Sequence, residues 1–554
     1  MIPFSRNTLT AAILSLSLAA CGGGGGSAEV MEPEPSGNGD TGGDSGGDTG
    51  TNPDGGATGG ISGSGQRSFG SITRFGSIFV NGVEYETTEA TIFRDGVLAT
   101  EDDLGVGMVV YVQGTVNTDS ATGAADLVIF DNEIRGPVSA IDIDANGDAK
   151  QLTILGVDII VERTGTVFEG VSFNTLAEDD VLEVSGFSES GNNLRATRVE
   201  KTSTFMPGES QVELKGVVTN LTDSTFNLGS YLVEYTDSDL TGLEGNSLGN
   251  GKSVEIRGTL VGTTINATNI ELTEDITNRI EAGDVLSIEG RVADYTTDSD
   301  FTINGIRVDA TANNLQKQPQ DLRLSNGVII EVEGTWDGNL LTATKVEARR
   351  GRIEIEARAI TIDTENQSIS FQLGTDIVTV FTNSRTLFDD NTGTLDKLTL
   401  LDISPSDFLE VEAYLDGEIL VATRIDRDAI DPEDLDEVQG FVEGFTENTS
   451  LIVLGITYDV TNALFEGLDG TEISREAFFS QLAVDAPILV KLGLDPAVPG
   501  VALTVELERE DGLDGANEFD DSSDDASDDE SNDDSSDDPS DDESSDDESN
   551  DDSS

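Results

Sequence analysis

The chain of 554 residues contains no histidine. That removes the commonest general acid/base, the usual imidazole metal ligand and the histidine-based catalytic triads. It contains one cysteine, Cys21, so neither a disulfide nor a thiolate zinc site can form within one chain. Aromatic residues make up 5% of the sequence, with a single tryptophan, which argues against one large core. Basic residues are scarce: 30 Lys and Arg stand against 108 Asp and Glu, a net charge of −78. Such a surface repels nucleic acid and anionic head groups, because binding them means matching phosphates with Lys and Arg. It favours solubility and attracts cations.

The amino end reads MIPFSRNTLTAAILSLSLAACGGGGGS. Arg6 precedes a brief apolar stretch, Leu9 to Ala20, that is too short to span a bilayer, which needs about 20 apolar residues. It reads as an export signal. The sequence Leu18-Ala19-Ala20-Cys21 resembles the lipobox of bacterial lipoproteins. That resemblance implies that 1–21 is a lipoprotein signal with its lipobox, cut just before Cys21, and that Cys21 is lipidated. Gly22 after the cysteine, rather than Asp, implies sorting to the outer membrane. Several acyl chains would make a stable anchor. Residues 22–67 are mostly Gly, Ser, Thr, Asp and Pro, a composition that cannot bury enough apolar surface to order itself. As a flexible coil this linker reaches roughly 35–40 Å and would tether the folded part of the chain to the membrane.

Beyond the linker, one phrase occurs in four near-copies: LRATRVE (194–200), INATNIE (265–271), LTATKVE (341–347) and LVATRID (420–426). Their alanines, at 196, 267, 343 and 422, recur every 71–79 residues. That exceeds the ~20–50 residues of a solenoid repeat, so each unit reads as a small domain with its own core. Each copy is preceded by an alternating phrase such as IEVEG (330–334), where Ile330 and Val332 face one way and Glu331 and Glu333 the other: a strand with one buried face. Asn81-Gly82 and Asn304-Gly305 suit two-residue hairpin turns. In LTATKVE, Leu341 and Ala343 share a face that Val346 leaves, so a bulge after the alanine is expected to restore the phase and bend the strand.

Each unit thus reads as strand, strand–turn–strand, a variable segment, strand, short turn, strand. That is the order of an OB-like small barrel, with a short sandwich or meander as the rival. The fold class expected is all-β: about six tandem small OB-like β-barrel modules, with a disordered N-terminal linker and an acidic C-terminal tail. The boundaries read 68–132, 133–205, 206–282, 283–350, 351–432 and 433–510, then a disordered Asp/Ser-rich tail, 511–554. The repeated phrases, their period and the lipobox together resemble a bacterial envelope family catalogued as domain of unknown function 5666, found in tandem in exported lipoproteins. The family implies no known reaction.

Few stretches suggest chemistry. Asp142, Asp144, Asn146 and Asp148, with Gly147, match the first half of a calcium loop. The twelfth position is Thr153 rather than a bidentate Glu, and Asp, Asn and Gly are also ordinary hairpin residues. The tail has 22 acidic residues and no basic ones: a swollen solubilising segment, or a low-affinity sponge for Ca²⁺ or a strip for a basic partner. ARRGRIE (348–354) reads as ion-paired at a domain boundary rather than as a nucleic-acid patch. Trp336 is placed beside the turn of the last hairpin, for packing or for stacking on a sugar ring. Among 108 acids no catalytic pair can be singled out.

The expectation is a non-catalytic, lipid-anchored envelope protein, with the membrane as partner through Cys21, no nucleic acid, and no cofactor unless Ca²⁺. The face of the outer membrane stays open. The alternatives are a cation-dependent adhesin or module array gripping a glycan or protein, and an enzyme with a carboxylate site in one divergent unit.

Overall fold

The computed structural model describes residues 66–508, except 118–120, 145–146, 148, 189–192, 237, 244–246, 274–275, 396, 430–434, 469 and 483–487. Cys21, the linker up to residue 65 and the acidic tail lie outside the described residues. Within them, the first repeat shows how the chain closes on itself. β1 (Gln66–Arg74), β2 (Ile78–Val80) and β3 (Val83–Glu86) form a meander, β4 (Thr91–Arg94) and β5 (Val97–Ala99) a small hairpin, and β6 (Val109–Val116) and β7 (Thr122–Phe130) the final pair. β1, β2 and β3 pair antiparallel in turn; β3 then lies parallel to β7, β7 antiparallel to β6, and β6 antiparallel to β1. The last pairing closes a ring of strands and leaves an edge free only along part of the first strand.

The same ring of pairings recurs in 134–204, 211–272, 285–348 and 353–428. In 437–508 the parallel contact narrows to one bridge, Asp459 to Val501. The variable segments hold something the alternation did not reveal. Five of them carry a strand of three or four residues parallel to the last strand of its ring, at Thr91–Arg94, Val167–Glu169, Gln316–Gln318, Leu387–Asp390 and Leu464–Glu466. The variable segment of the last ring carries a helical turn, α1 (Arg475–Gln481), where the Ser474 side chain accepts a bond from the Ala477 N–H at 3.1 Å. That oxygen satisfies one of the orphan donors of the first turn.

The repeated phrase is explained by the final hairpin of each ring. Gly334 pairs with Ala343, but the next pair is Glu333 with Lys345, so Thr344 is the extra residue of a bulge. Thr197, Thr268 and Thr423 are skipped in the same way. Each of these threonines donates its hydroxyl to the carbonyl of the residue that the slip displaces: Ser185, Arg257, Glu333 and Glu412, at 3.1, 3.1, 3.1 and 3.3 Å. The bulge returns Val346 to the interior with Leu341 and Ala343, as the phase slip required. The glycine is there for space, because a Cβ at Gly334 would overlap the Thr342 carbonyl oxygen. The ring at 353–428 carries Ala413 at this register, so the strands can part to admit a methyl. Gly334→Ala is therefore expected to fold but to lose about 1–3 kcal/mol, the usual cost of overpacking; a urea midpoint unchanged from wild type would refute the steric reading. Asn81 and Gly82 adopt φ of 51° and 77°, and Asn304 and Gly305 48° and 78°, the turns expected from these pairs.

The rings are joined two by two through shared sheets, although 66–130 and 285–348 keep separate apolar cores. One 13-stranded sheet unites 66–130 with 285–348, one of 11 strands unites 134–204 with 211–272, and one of 12 strands unites 353–428 with 437–508. The cause is a free edge. In Ile353–Asp363 the second half pairs with Ser368–Leu373, so the first half has one side unpaired within its ring. Glu437–Gln439 of the next ring occupies that side. In the same way Gln66–Phe69 lies parallel to Val285–Ile288. Covering the edge satisfies backbone groups that would otherwise invite strand addition. The apolar interiors of 134–272 and of 353–507 are each continuous across the joint.

Candidate functional site

Joining the rings buries glutamates that alternation aims away from the cores. Glu331, on the outward face of Ile329–Trp336, is 2% exposed. Ser287 Oγ donates to its Oε1 at 3.0 Å, and Arg385 Nε, from the loop before Leu387, approaches both Glu331 Oε2 and Glu347 Oε2 at 2.8 Å. Burial works against the charge of Glu331, but Arg385 and then Arg349 outweigh it and hold the carboxyl below its usual range. The neighbouring Glu289 accepts from Ser71 N and Oγ at 2.8 Å and faces Arg349 Nε at 3.3 Å.

The same device joins the remaining rings. Arg350 pairs with Glu162 and, at 3.2 Å, with Glu412, and so links 134–204 to 353–428. Burial would raise Glu162; the guanidinium groups of Arg195 and Arg350 override it and lower the carboxyl instead. Arg94 reaches Glu183 at 2.6 Å and Glu200 at 3.4 Å, and Arg424 binds Asp426 at 2.6 Å, Asp389 at 3.2 Å and the Thr166 carbonyl at 3.3 Å. The ion pairing expected for ARRGRIE is present at Arg349 and Arg350. Planar guanidinium groups suit such multi-partner sites.

Two joints hold more acid than base. Between 134–204 and 211–272, Glu213 and Glu255 share Arg257. Burial and the charge of Glu213 push Glu255 up to about 8. Between 353–428 and 437–508, Lys491 Nζ lies 2.7 Å from Glu356, 3.0 Å from Glu437 and 3.4 Å from Glu354. A polar cavity of about 470 Å³ opens elsewhere, where Gly82, Asn314, Glu333, Lys345, Ser384 and Arg385 meet.

The residues singled out from the sequence are placed differently. Asp142 is exposed at the end of Ile134–Ile143, opposite Gln151. Asp144 Oδ1 accepts from the backbone N–H of Gly147 at 2.7 Å and of Ala149 at 3.1 Å, which commits that oxygen to the turn. Asn146 and Asp148 lie outside the described residues. Trp336 is buried among Leu341 and its neighbours, so it packs rather than offering a stacking face. The buried carboxylates escaped sequence reasoning because Glu in an outward strand position reads as solvated; the scarcity of cations was the one available signal.

Against this geometry, a family model described as "Domain of unknown function (DUF5666)" matches residues 70–126, 135–200, 215–271, 274–347 and 361–426. The chain belongs to this family. A comparison with curated proteins finds no match. Each DUF5666 stretch ends in the final hairpin of a ring, and those beginning at 135, 215, 274 and 361 take in the bulged threonines Thr197, Thr268, Thr344 and Thr423. The ring at 437–508 falls outside the matched stretches and is assigned by its strand pairing.

Proposed function

We propose that this is a non-catalytic, lipid-anchored cell-envelope protein built of six OB-like β modules, with a structural or binding role at the outer membrane. The module boundaries are those read from the phrases, and Cys21 carries the anchor. The strand order, in which the first strand pairs with the fourth and the third runs parallel to the fifth, supports the OB-like reading. The observation that carries the non-catalytic reading is the use of the charged residues. The buried arginines and glutamates described above are paired with one another at joints between rings, and the carboxylate cluster around Lys491 lies away from the polar cavity. Such a construction resists separation of the modules and leaves the outside acidic.

A second reading, a cation-dependent adhesin or a glycan- or protein-binding array, draws on that cavity, where Lys345, Arg385 and Glu333 offer charged groups of both signs. The anchor is tested by Cys21→Ala. The variant should leave the membrane fraction and appear soluble, and should no longer incorporate labelled fatty acid. A variant that still sediments with membranes defeats the assignment.

A further inference from the structure

We propose that Glu354, Glu356 and Glu410 hold a hard divalent cation, calcium by its size, at the strand joint between 353–428 and 437–508. This site goes beyond the structural reading above and does not depend on the lipid anchor. The three residues lie side by side on Ile353–Asp363 and on its antiparallel neighbour Phe408–Asp416, with Glu356 directly opposite Glu410. One carboxylate oxygen from each falls within 4.8 Å of the others. Calcium–oxygen bonds of about 2.3–2.6 Å put ligands on opposite sides of the ion about 4.6–5.2 Å apart, whereas the shorter magnesium bonds demand a tighter cage.

A second observation points into the same space. Glu410 Oε1 is shielded from solvent and has no hydrogen-bond partner, although the residue as a whole is only partly buried. A bare carboxylate oxygen in such a place needs a proton or a cation. Lys491 does not supply it: its ammonium is taken by Glu356, Glu437 and Glu354. Across the sheet Asp426 stands opposite Glu410, but it is matched by Arg424. Lys491 and Glu354 keep 21% and 17% exposure, which leaves an ion a way in.

The test uses the full-length chain stripped with EDTA, whose acidic tail is common to every variant and binds equally in each. Calcium chloride in the millimolar range should raise the wild-type melting temperature, because an ion bound only to the folded form stabilises it. Glu410→Gln keeps the shape and removes a buried charge, so it should melt no lower than wild type in EDTA and should lose most of the calcium shift. Glu354→Gln should lose it as well. Lys491→Gln removes a competing positive charge and should tighten the calcium midpoint about tenfold. An equal calcium shift in wild type, Glu410→Gln and Glu354→Gln assigns the ion to the tail or another acidic face and overturns the proposal. The absence of any shift in wild type does the same.

Discussion

Replacing Arg385 by alanine is expected to cost about 3–5 kcal/mol, the usual penalty for stranding a buried charge by deleting its partner. Arg385 is the cation shared by Glu331 and Glu347, both nearly inaccessible to water. It enters from the ring at 353–428 and lies so close to the Asn81-Gly82 turn that a Cβ on Gly82 would overlap its guanidinium. One side chain therefore contacts three rings. Without it, Glu331 retains the Ser287 hydroxyl and Glu347 retains Lys345 at 2.6 Å, but the two carboxylates face each other across 285–348 with one fewer positive charge. Arg385→Lys should recover only part of the loss, since an ammonium cannot reproduce a guanidinium between two carboxylates. Adding Glu331→Gln to Arg385→Ala should return stability toward wild type, because the second change removes the stranded charge. The measurement is urea unfolding of the four proteins at neutral pH. A loss under about 1 kcal/mol in Arg385→Ala, the range of surface pairs, would reduce this joint to an ordinary exposed salt bridge.

This dependence on one arginine marks where the sequence stopped being legible. What repeats locally could be read: alternation gave the strands, Asn81-Gly82 and Asn304-Gly305 the turns, and the displaced Val346 the bulge that Thr344 supplies. These are properties of neighbouring residues, and their periods are visible in the letters. Two things were not local. The short strands Gln316–Gln318 and Leu387–Asp390 are too brief to alternate, and they form because the last strand of the ring offers a parallel edge. One free edge also finds its partner at long range: Gln66–Phe69 meets Val285–Ile288 and not the ring that comes next in sequence, whereas the other two joints unite consecutive rings. Packing of ring on ring covers Glu331 and Glu162, which in the letters look like any of the 108 acids. The candidate site was thus visible only as a rule about cations. Arg349 and Arg350 obeyed it, and Lys491 gave no sign of the cluster it sits beside.

The buried acids also set how stability depends on pH, because the two kinds of joint pull in opposite directions. In the acid-rich joint at Arg257 the carboxyl of Glu255 is raised to about 8, by burial and then by the charge of Glu213. A raised carboxyl stabilises the fold while it is protonated. Its contribution is complete below the pKa of the unfolded chain and is lost as pH climbs through the folded value. Glu162 and Glu331 behave the other way, since arginines hold them ionised; their contribution is complete above the unfolded pKa and is lost as pH falls through the lowered one. The fold should therefore be most stable in mild acid, between the two windows. Raising the pH from about 5.5 to about 8 should cost about 2–3 kcal/mol from Glu255 alone, at about 1.4 kcal/mol per pH unit while the folded form keeps its proton. Glu255→Gln keeps the amide within reach of Arg257 and cannot ionise, so its stability should match wild type near pH 5.5 and exceed it near pH 8. Thermal unfolding of both proteins across that range in EDTA, which keeps cations from masking the charges, reads the difference directly. A wild-type melting temperature that climbs from pH 5.5 to 8, or a Glu255→Gln profile parallel to it, would mean that this carboxyl is ionised in the fold and that the acid-rich joint is relieved by water instead of by a proton.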